Sequence, residues 1–162
     1  MIHDIPENAG TSSDSALSTL LQREVISMDK ETGTSVVSFC IPDVFLNMQG
    51  VLHGGAYATM LDTACGVAIR GKLDMSVYGG SSTLELKTSF LKGGAPGHYI
   101  AKGYVRRIGK SIAFVEADLF NDADELAGRA SATFKLRLRK KPAENNIAVA
   151  RTRSVIALSD LL

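Results

Sequence analysis

The stretch HGGAYATMLDTACGVAIR, residues 53–70, decides the fold. Its apolar residues fall on most sides of a helical wheel, which is typical of a helix buried in a core. The glycine that follows, Gly71, is a helix stop signal. Such a helix buries nearly all of its surface only if a sheet curves round it. The apolar members are Ala56, Ala58, Met60, Leu61, Ala64, Cys65, Val67, Ala68 and Ile69.

Strand-like segments lie on both sides of this helix in the sequence. Residues 24–29 and 34–41 precede it and are divided by Lys30-Glu31-Thr32-Gly33, which is typical of a hairpin turn. Four longer stretches follow it, separated by turn-forming compositions, at residues 81–91, 98–108, 111–121 and 126–138. Four consecutive strands with short turns predict an antiparallel meander. The predicted fold class is therefore α+β, with one long central helix wrapped by a curved antiparallel sheet.

Length and composition predict one domain with a short arm at each end. With 162 residues, of which 45% are hydrophobic, the chain can bury one sizeable core. Residues 1–13 are rich in small and polar types and predict a flexible N-terminal arm. The domain is predicted at residues 14–140, beginning with a short helix at about 14–22 whose possible caps are Ser13 and Asp14. Residues 141–162 predict a C-terminal extension, either a weak helix or an ordered arm.

Charge, cysteine and histidine patterns exclude several classes of protein. A formal net charge of +1 gives no field that would recruit nucleic acid or an anionic membrane. Cys40 and Cys65 form no close pair, and the three histidines have no carboxylate spaced to join them, so we expect neither disulfides nor a metal. No apolar run approaches the roughly 18 residues of a spanning helix, and no signal peptide is evident. We therefore expect a cytoplasmic protein.

Two features at the long helix indicate chemistry. Gly54 and Gly55 at its start leave backbone N–H groups uncovered, where the helix dipole favours an anion or a developing oxyanion. Asp62 is the only acid in an apolar span of about 17 residues, and a carboxylate in a core is costly unless it has a partner or a task. We therefore expect an oxyanion hole at Gly54 and a functional carboxylate at Asp62.

These two features cannot meet within one chain. Eight residues from Gly54 to Asp62, at 1.5 Å per residue, separate them by roughly 12 Å along the helix axis. If two helices pack antiparallel about a two-fold axis, the start of one lies level with the middle of the other. The sequence therefore predicts a site shared between two subunits, so that catalysis requires a dimer.

The motif resembles that of a known family. Asn47, His53-Gly54-Gly55 and Asp62 at these spacings are similar to the signature of hotdog-fold acyl-CoA thioesterases of the phenylacetate-pathway, PaaI-like type. The later strands of that family also resemble Thr83-Leu84-Glu85-Leu86 through Phe90-Leu91, Arg107-Ile108-Gly109-Lys110-Ser111 and Gly128-Arg129-Ala130, so about residues 35–138 are covered. The resemblance implies a hotdog fold and hydrolysis of acyl-CoA to free CoA and a carboxylic acid. It also implies a homo-oligomer, either a dimer or a dimer of dimers.

Roles for single residues follow from this resemblance. It implies that the Gly54 N–H polarises the thioester carbonyl, that Asn47 and His53 shape that end of the site, and that Asp62 of the other subunit activates water or attacks directly. Thr83 occupies a position where related enzymes often have a serine that orients the nucleophile. Coenzyme A is part of the substrate, so no separate cofactor is expected. The candidate CoA-binding residues are Gly55, Arg107, Gly109, Lys110 and Ser111, of which Arg107, Lys110 and Ser111 can meet the phosphates.

Alternatives remain open at this level. A hotdog hydratase or dehydratase would use Asp62 with His53 as a base, whereas the usual role of a histidine at a helix start is structural or capping. A non-catalytic acyl-CoA-binding protein would keep the pocket without turnover. Cys65 lies one turn after Asp62, but an apolar helix interior raises the pKa of a thiol, so we expect Cys65 to be inert core instead of a nucleophile. Four residues could line an acyl pocket, although such residues more often belong to the core: Tyr57, Met60, Leu61 and Phe45.

Overall fold

The structure of the chain, a computed structural model, describes residues 15–139. In these residues a short helix and two strands precede a long helix, and four strands follow it. The elements are α1 (Ala16–Leu20), β1 (Glu24–Asp29), β2 (Thr34–Ile41), a 3-10 turn (Asp43–Phe45), α2 (Gly54–Lys72), β3 (Tyr78–Phe90), β4 (Gly97–Ile108), β5 (Ile112–Asn121) and β6 (Leu126–Leu138). The predicted arms at residues 1–13 and 141–162 lie outside the described residues.

The strands form one antiparallel sheet that wraps the long helix. Its strand order over residues 15–139 is β1-β2-β4-β5-β6-β3. Helix α2 packs against all six of these strands, which requires the sheet to curve round it. The predicted α+β hotdog architecture is therefore confirmed. Within residues 15–139 no helix is long and apolar enough to cross a membrane.

The predicted meander of four consecutive strands is wrong at its first member. β4, β5 and β6 are consecutive neighbours, but β3 pairs with β6 instead of β4. β4 has no edge left for β3, because β2 occupies one side and β5 the other. The loop at residues 91–96 therefore carries the chain from the edge of the sheet to its middle. As a result β3 lies at the edge of the sheet, with one side unpaired in the described chain.

Close contact between α2 and the sheet depends on Gly103 in β4. A Cβ on Gly103 would overlap the carbonyl oxygen of Ala64 and lie 2.7 Å from Ser35 Oγ. The buried Ser35 hydroxyl donates to the same Ala64 carbonyl at 2.9 Å. The middle of the helix is thus fixed against β2 and β4 at a distance that only a glycine permits.

Gly71 does not stop the helix as predicted. α2 continues to Lys72, and Leu73 is its C-cap in an extended conformation. Gly71 instead allows close packing, because a Cβ there would lie 3.2 Å from Met28 Cβ of β1. Lys72 Nζ donates to the Lys30 and Glu31 carbonyls of the β1–β2 turn at 3.0 and 2.9 Å. These two bonds hold the last turn of the helix against the hairpin.

Candidate active site

In the first turn of α2, His53 engages the backbone amides of Gly55 and Ala56 and leaves that of Gly54 available. His53 is the N-cap, and its Nδ1 accepts a hydrogen bond from the Gly55 N–H at 2.9 Å. The His53 carbonyl accepts from the Ala56 N–H at 2.9 Å. The Gly54 N–H makes no hydrogen bond within residues 15–139. Gly54 therefore presents an unpaired donor at the positive end of the helix dipole.

The capping geometry also indicates which nitrogen of the His53 ring carries the proton. A nitrogen that accepts a hydrogen bond carries no proton, so the neutral imidazole holds its proton on Nε2. Nδ1 is occupied by the Gly55 N–H and Nε2 is a donor, so neither nitrogen is placed to act as a base. This arrangement gives the hydratase hypothesis no support. It also engages the Gly55 amide, which the sequence analysis assigned to CoA binding.

Asn47 organises the loop that leads into the helix. Its side-chain Oδ1 accepts from the backbone N–H groups of Gln49 and Val51 at 2.8 and 3.3 Å. Its own N–H donates to the Val51 carbonyl at 2.8 Å. The His53 N–H donates to the Phe45 carbonyl at 2.8 Å, which closes the loop. Asn47 thus lies where the resemblance implies, at the same end of the helix as Gly54.

The loop at residues 91–96 supports the start of the helix from the other side. The Leu52 N–H donates to the Gly94 carbonyl at 2.8 Å. The buried Tyr57 hydroxyl donates to the Lys92 carbonyl at 2.9 Å. A Cβ on Gly94 would overlap the hydroxyl of Tyr57, so the loop can approach the helix this closely only with glycine at that position. Gly54 is therefore held between two hydrogen-bonded loops.

Asp62 and Thr83 form the second half of the site. The Thr83 hydroxyl donates to Asp62 Oδ1 at 2.8 Å, so one carboxylate oxygen is oriented by β3. Asp62 Oδ2 makes no hydrogen bond within the described chain. A register shift between Thr83 and Glu85 marks an irregularity in β3 beside this contact. The structure thus brings the Thr83 hydroxyl into contact with the carboxylate of Asp62, the residue that the resemblance implies is catalytic.

The structure does not bring the two halves together in one chain. Asp62 lies two helical turns after Gly54, roughly 12 Å along the axis at 1.5 Å per residue. Asp62 is half-buried and belongs to the side of α2 that meets β3, the edge strand. One small thioester carbonyl cannot contact both groups of a single chain.

The candidate CoA-binding turn lies at the other end of β4 from the Gly94 loop. Arg107, Gly109, Lys110 and Ser111 are all exposed. The Tyr78 hydroxyl donates to the Lys110 carbonyl at 3.1 Å, which places this turn beside the start of β3. Within one chain the turn is therefore remote from Gly54. Its role in binding CoA stays a prediction.

The remaining candidate residues belong to the core or line a cleft. Cys65 is fully buried, and burial raises the pKa of its thiol to about 12, as expected of a cysteine that packs in the core. Met60 and Leu61 are fully buried, and Phe45 is half-buried against the core. Tyr57 is buried as well, but it also lines a surface cleft next to Gly54.

Phe90 is a candidate that sequence reasoning missed. Its two nearest ring carbons lie 3.2 and 3.3 Å from where a Cβ on Gly54 would be. The ring therefore packs directly on the residue of the predicted oxyanion hole. Phe90 ends β3, 36 positions after Gly54, and no periodicity links the two positions. The available signal was an aromatic residue at the end of a strand and directly before a glycine-rich turn.

A long helix wrapped by an antiparallel sheet defines the hotdog fold, and in this chain that helix has a carboxylate at its middle and an unpaired amide at its start. The chain belongs to the thioesterase superfamily, whose family model matches residues 49–128. A candidate esterase from Saccharolobus solfataricus is 33% identical over 108 residues, covering 67% of this chain and 73% of that protein. Another from Halobacterium salinarum is 37% identical over 76 residues, which cover 47% of this chain and 50% of that protein. The chain thus matches only half the length of this relative.

Solved structures show the same fold. A candidate thioesterase from Ralstonia eutropha, described as a phenylacetic acid degradation-related protein, superposes with a TM-score of 0.71 at 27% identity, covering 78% of this chain and 93% of that one. The PaaI protein of the E. coli phenylacetic acid degradation operon superposes with a TM-score of 0.68 at 22% identity, covering 76% and 85%. The resemblance to PaaI-like hotdog thioesterases is therefore confirmed.

Proposed function

We propose that this protein hydrolyses acyl-CoA thioesters to free CoA and a carboxylic acid at a site shared between two subunits. One observation carries the proposal: a carboxylate oriented by a hydroxyl, Asp62 with Thr83, and an unpaired amide, Gly54, both lie on α2 but too far apart to serve one carbonyl. Two antiparallel copies of the helix would bring the amide of one level with the carboxylate of the other.

The two groups fit the two needs of thioester hydrolysis. The Gly54 N–H donates to the carbonyl oxygen as negative charge develops on it. Asp62 of the other subunit takes a proton from a water molecule, whose oxygen bonds to the carbonyl carbon. The C–S bond then breaks, the carboxylic acid forms, and the CoA thiolate receives the proton from Asp62. Thr83 holds the carboxylate in the geometry that this transfer needs.

The free edge of β3 supports the shared site. Thirteen residues of β3 have no neighbour on that side in the described chain, and an unpaired strand of this length is a template for pairing. Leu84, which is 61% exposed, lies in this strand beside the Asp62–Thr83 contact. Pairing of two β3 strands about a two-fold axis would extend the sheet and bury Leu84. Arg107, Lys110 and Ser111 would then receive the CoA phosphates.

The activity is tested by release of free thiol from acyl-CoA. Asp62→Asn should fold and assemble as the wild type does and should lose most of its turnover. Asp124→Asn makes the same chemical change in an exposed turn and should leave the rate unchanged. Turnover of Asp62→Asn at the wild-type rate would show that another group activates water.

A complementation experiment tests the shared site. Asp62→Asn removes the carboxylate, and Gly54→Pro removes the amide hydrogen. Co-expressed chains with one change each form mixed dimers with one intact and one doubly damaged site. About half of randomly assembled dimers are mixed, so about a quarter of the wild-type rate should return. No recovery in purified mixed dimers would refute a site that pairs Gly54 of one chain with Asp62 of the other.

The proposal requires no cofactor besides the CoA of the substrate. The absence of a metal and of nucleic-acid or membrane partners stays a prediction, as does the cytoplasmic location. Assembly as a dimer or a dimer of dimers is measured by light scattering on the purified protein.

A further inference from the structure

A cleft of about 230 Å³ opens directly beside Gly54. The start of α2 forms one wall, with Gly54 and Tyr57. The end of β3 and the following loop form the other, with Phe90 and Leu91. Phe90 and Leu91 are each 55% exposed, although both are large apolar side chains. The cleft therefore presents apolar surface next to the amide that the proposed function assigns to the thioester carbonyl.

The walls of this cleft offer no available charge. The Tyr57 hydroxyl is engaged with the Lys92 carbonyl at 2.9 Å, so Tyr57 presents its ring to the cleft. The ammonium group of Lys92, the charged residue at the rim, is paired with Glu125. The Tyr57 and Phe90 rings meet edge to face with centroids 5.7 Å apart, which gives the two walls a common aromatic surface.

We infer that this cleft receives the acyl group of the thioester, that the acyl group is compact and uncharged, and that Phe90 limits its length. The inference rests on the proposed function. The Phe90 ring lies 3.2 Å from where a Cβ on Gly54 would be and lines the same cleft as Gly54, so a substituent on a carbonyl bound at Gly54 can meet the ring. At about 230 Å³ the cleft is smaller than the roughly 300 to 1,000 Å³ of typical ligand pockets.

The acyl group fits this cleft better than the pantetheine arm of CoA does. Pantetheine carries two amide groups, and buried amides need hydrogen-bond partners. The polar side chains of the cleft already have partners, in Tyr57 with Lys92 and Lys92 with Glu125. A hydrocarbon or aryl group needs none, and its burial against these rings is favourable.

The test compares Phe90→Ala with the wild type on a ladder of straight-chain acyl-CoAs from butyryl to palmitoyl, with benzoyl-CoA as the aryl arm. Phe114→Ala is the matched control, because Phe114 is a similarly exposed phenylalanine, at 49%, on the face of the sheet away from α2. We expect Phe90→Ala to raise the decanoyl-to-butyryl ratio of kcat/KM about tenfold or more, a size that one altered pocket wall can produce. Phe114→Ala should leave the ratio unchanged.

Binding of non-hydrolysable S-alkyl-CoA thioethers, measured by titration calorimetry over the same lengths, separates this inference from the proposed function. A length preference that shifts in Phe90→Ala without any thioester turnover would support the acyl cleft and refute the hydrolysis. Turnover with an unchanged length preference in Phe90→Ala would refute the inference alone. If Phe90→Ala loses the same factor in kcat/KM for every acyl group, the cleft holds the CoA arm. If Phe90→Ala weakens the dimer and leaves the decanoyl-to-butyryl ratio unchanged, the partner subunit fills the cleft. If the protein shows no turnover and no binding, both the inference and the proposed function are refuted.

Discussion

Replacing Gly54 by proline removes one hydrogen atom that the proposed chemistry needs while the helix that carries it is preserved. Proline is well tolerated at the first position of a helix, where the missing N–H has no intrahelical acceptor. His53, the preceding residue, has φ −64° and ψ 138°, an extended conformation that a following proline favours. The Gly55 amide and its hydrogen bond to His53 Nδ1 are unaffected by the change.

Alanine at the same position is the matched control. Both substitutions place a Cβ 3.2 Å from Phe90 Cζ, and the half-exposed ring can move by the few tenths of an ångström required. Only proline removes the N–H. The loss of one oxyanion donor typically lowers kcat about 100-fold to 1,000-fold, or about 3 to 4 kcal/mol. We therefore expect Gly54→Ala to stay within about tenfold of the wild type and Gly54→Pro to fall at least about 100-fold below Gly54→Ala.

The measurement is kcat for thiol release at saturating acyl-CoA, with a thermal melt and light scattering to show that both variants fold and assemble. If Gly54→Pro and Gly54→Ala turn over equally while both remain folded dimers, the amide of Gly54 does not stabilise the oxyanion. The reasoning from the unpaired helix amide would then be wrong even if the protein is a thioesterase.

Three further predictions concern the carboxylate, the core and the buried thiol. Thr83→Val keeps the shape but loses the hydrogen bond to Asp62 of 2.8 Å, so kcat should fall roughly tenfold to 100-fold, the size expected for a bond to a charged group, whereas Thr83→Ser should stay within a few-fold. Gly103→Ala forces a Cβ against the Ala64 carbonyl and should lower the free energy of unfolding by about 1 to 3 kcal/mol in a denaturant titration. Gly66→Ala, where a Cβ meets nothing within 4 Å, should raise it by about 0.5 to 1 kcal/mol. Because the pKa of Cys65 is raised to about 12, about one thiol in 10,000 is ionised at pH 8, and mass spectrometry should find Cys65 unalkylated until the protein unfolds.

Periodicity located the elements of the fold because it records which side of each element is buried. β1, β2 and β6 begin and end at the predicted residues. β2 and most of β6 alternate in burial, whereas β1 is largely exposed and was recognised from its β-rich composition and the turn that follows it. α2 was recognised from apolar residues on most sides, which is the pattern of a helix enclosed by a sheet. Burial patterns do not state which strand lies next to which. The place of β3 beside β6 therefore could not be predicted from its own residues.

In the candidate site, too, residues that are unusual at their own position could be predicted, whereas a residue that matters only through a distant contact could not. Asp62 and Gly54 could be predicted because each is unusual for its own position, an acid in an apolar helix and a glycine at a helix start. Phe90 is unusual only in relation to Gly54, and the contact between them exists because β3 crosses to the far edge of the sheet. Gly71 was misinterpreted for a related reason, since its small size serves packing against Met28 instead of ending the helix.

The choice between the two amides at the start of α2 follows from the cap. A helix leaves its first N–H groups unpaired, and a side chain at the N-cap position normally satisfies one of them. Here the His53 ring takes the Gly55 amide, so the amide left for a ligand is that of Gly54, the one closest to Phe90. Replacing His53 by alanine would release the Gly55 amide as well. Its effect on kcat should therefore be smaller than that of Gly54→Pro, because the catalytic donor is still present and only its orientation is less well held.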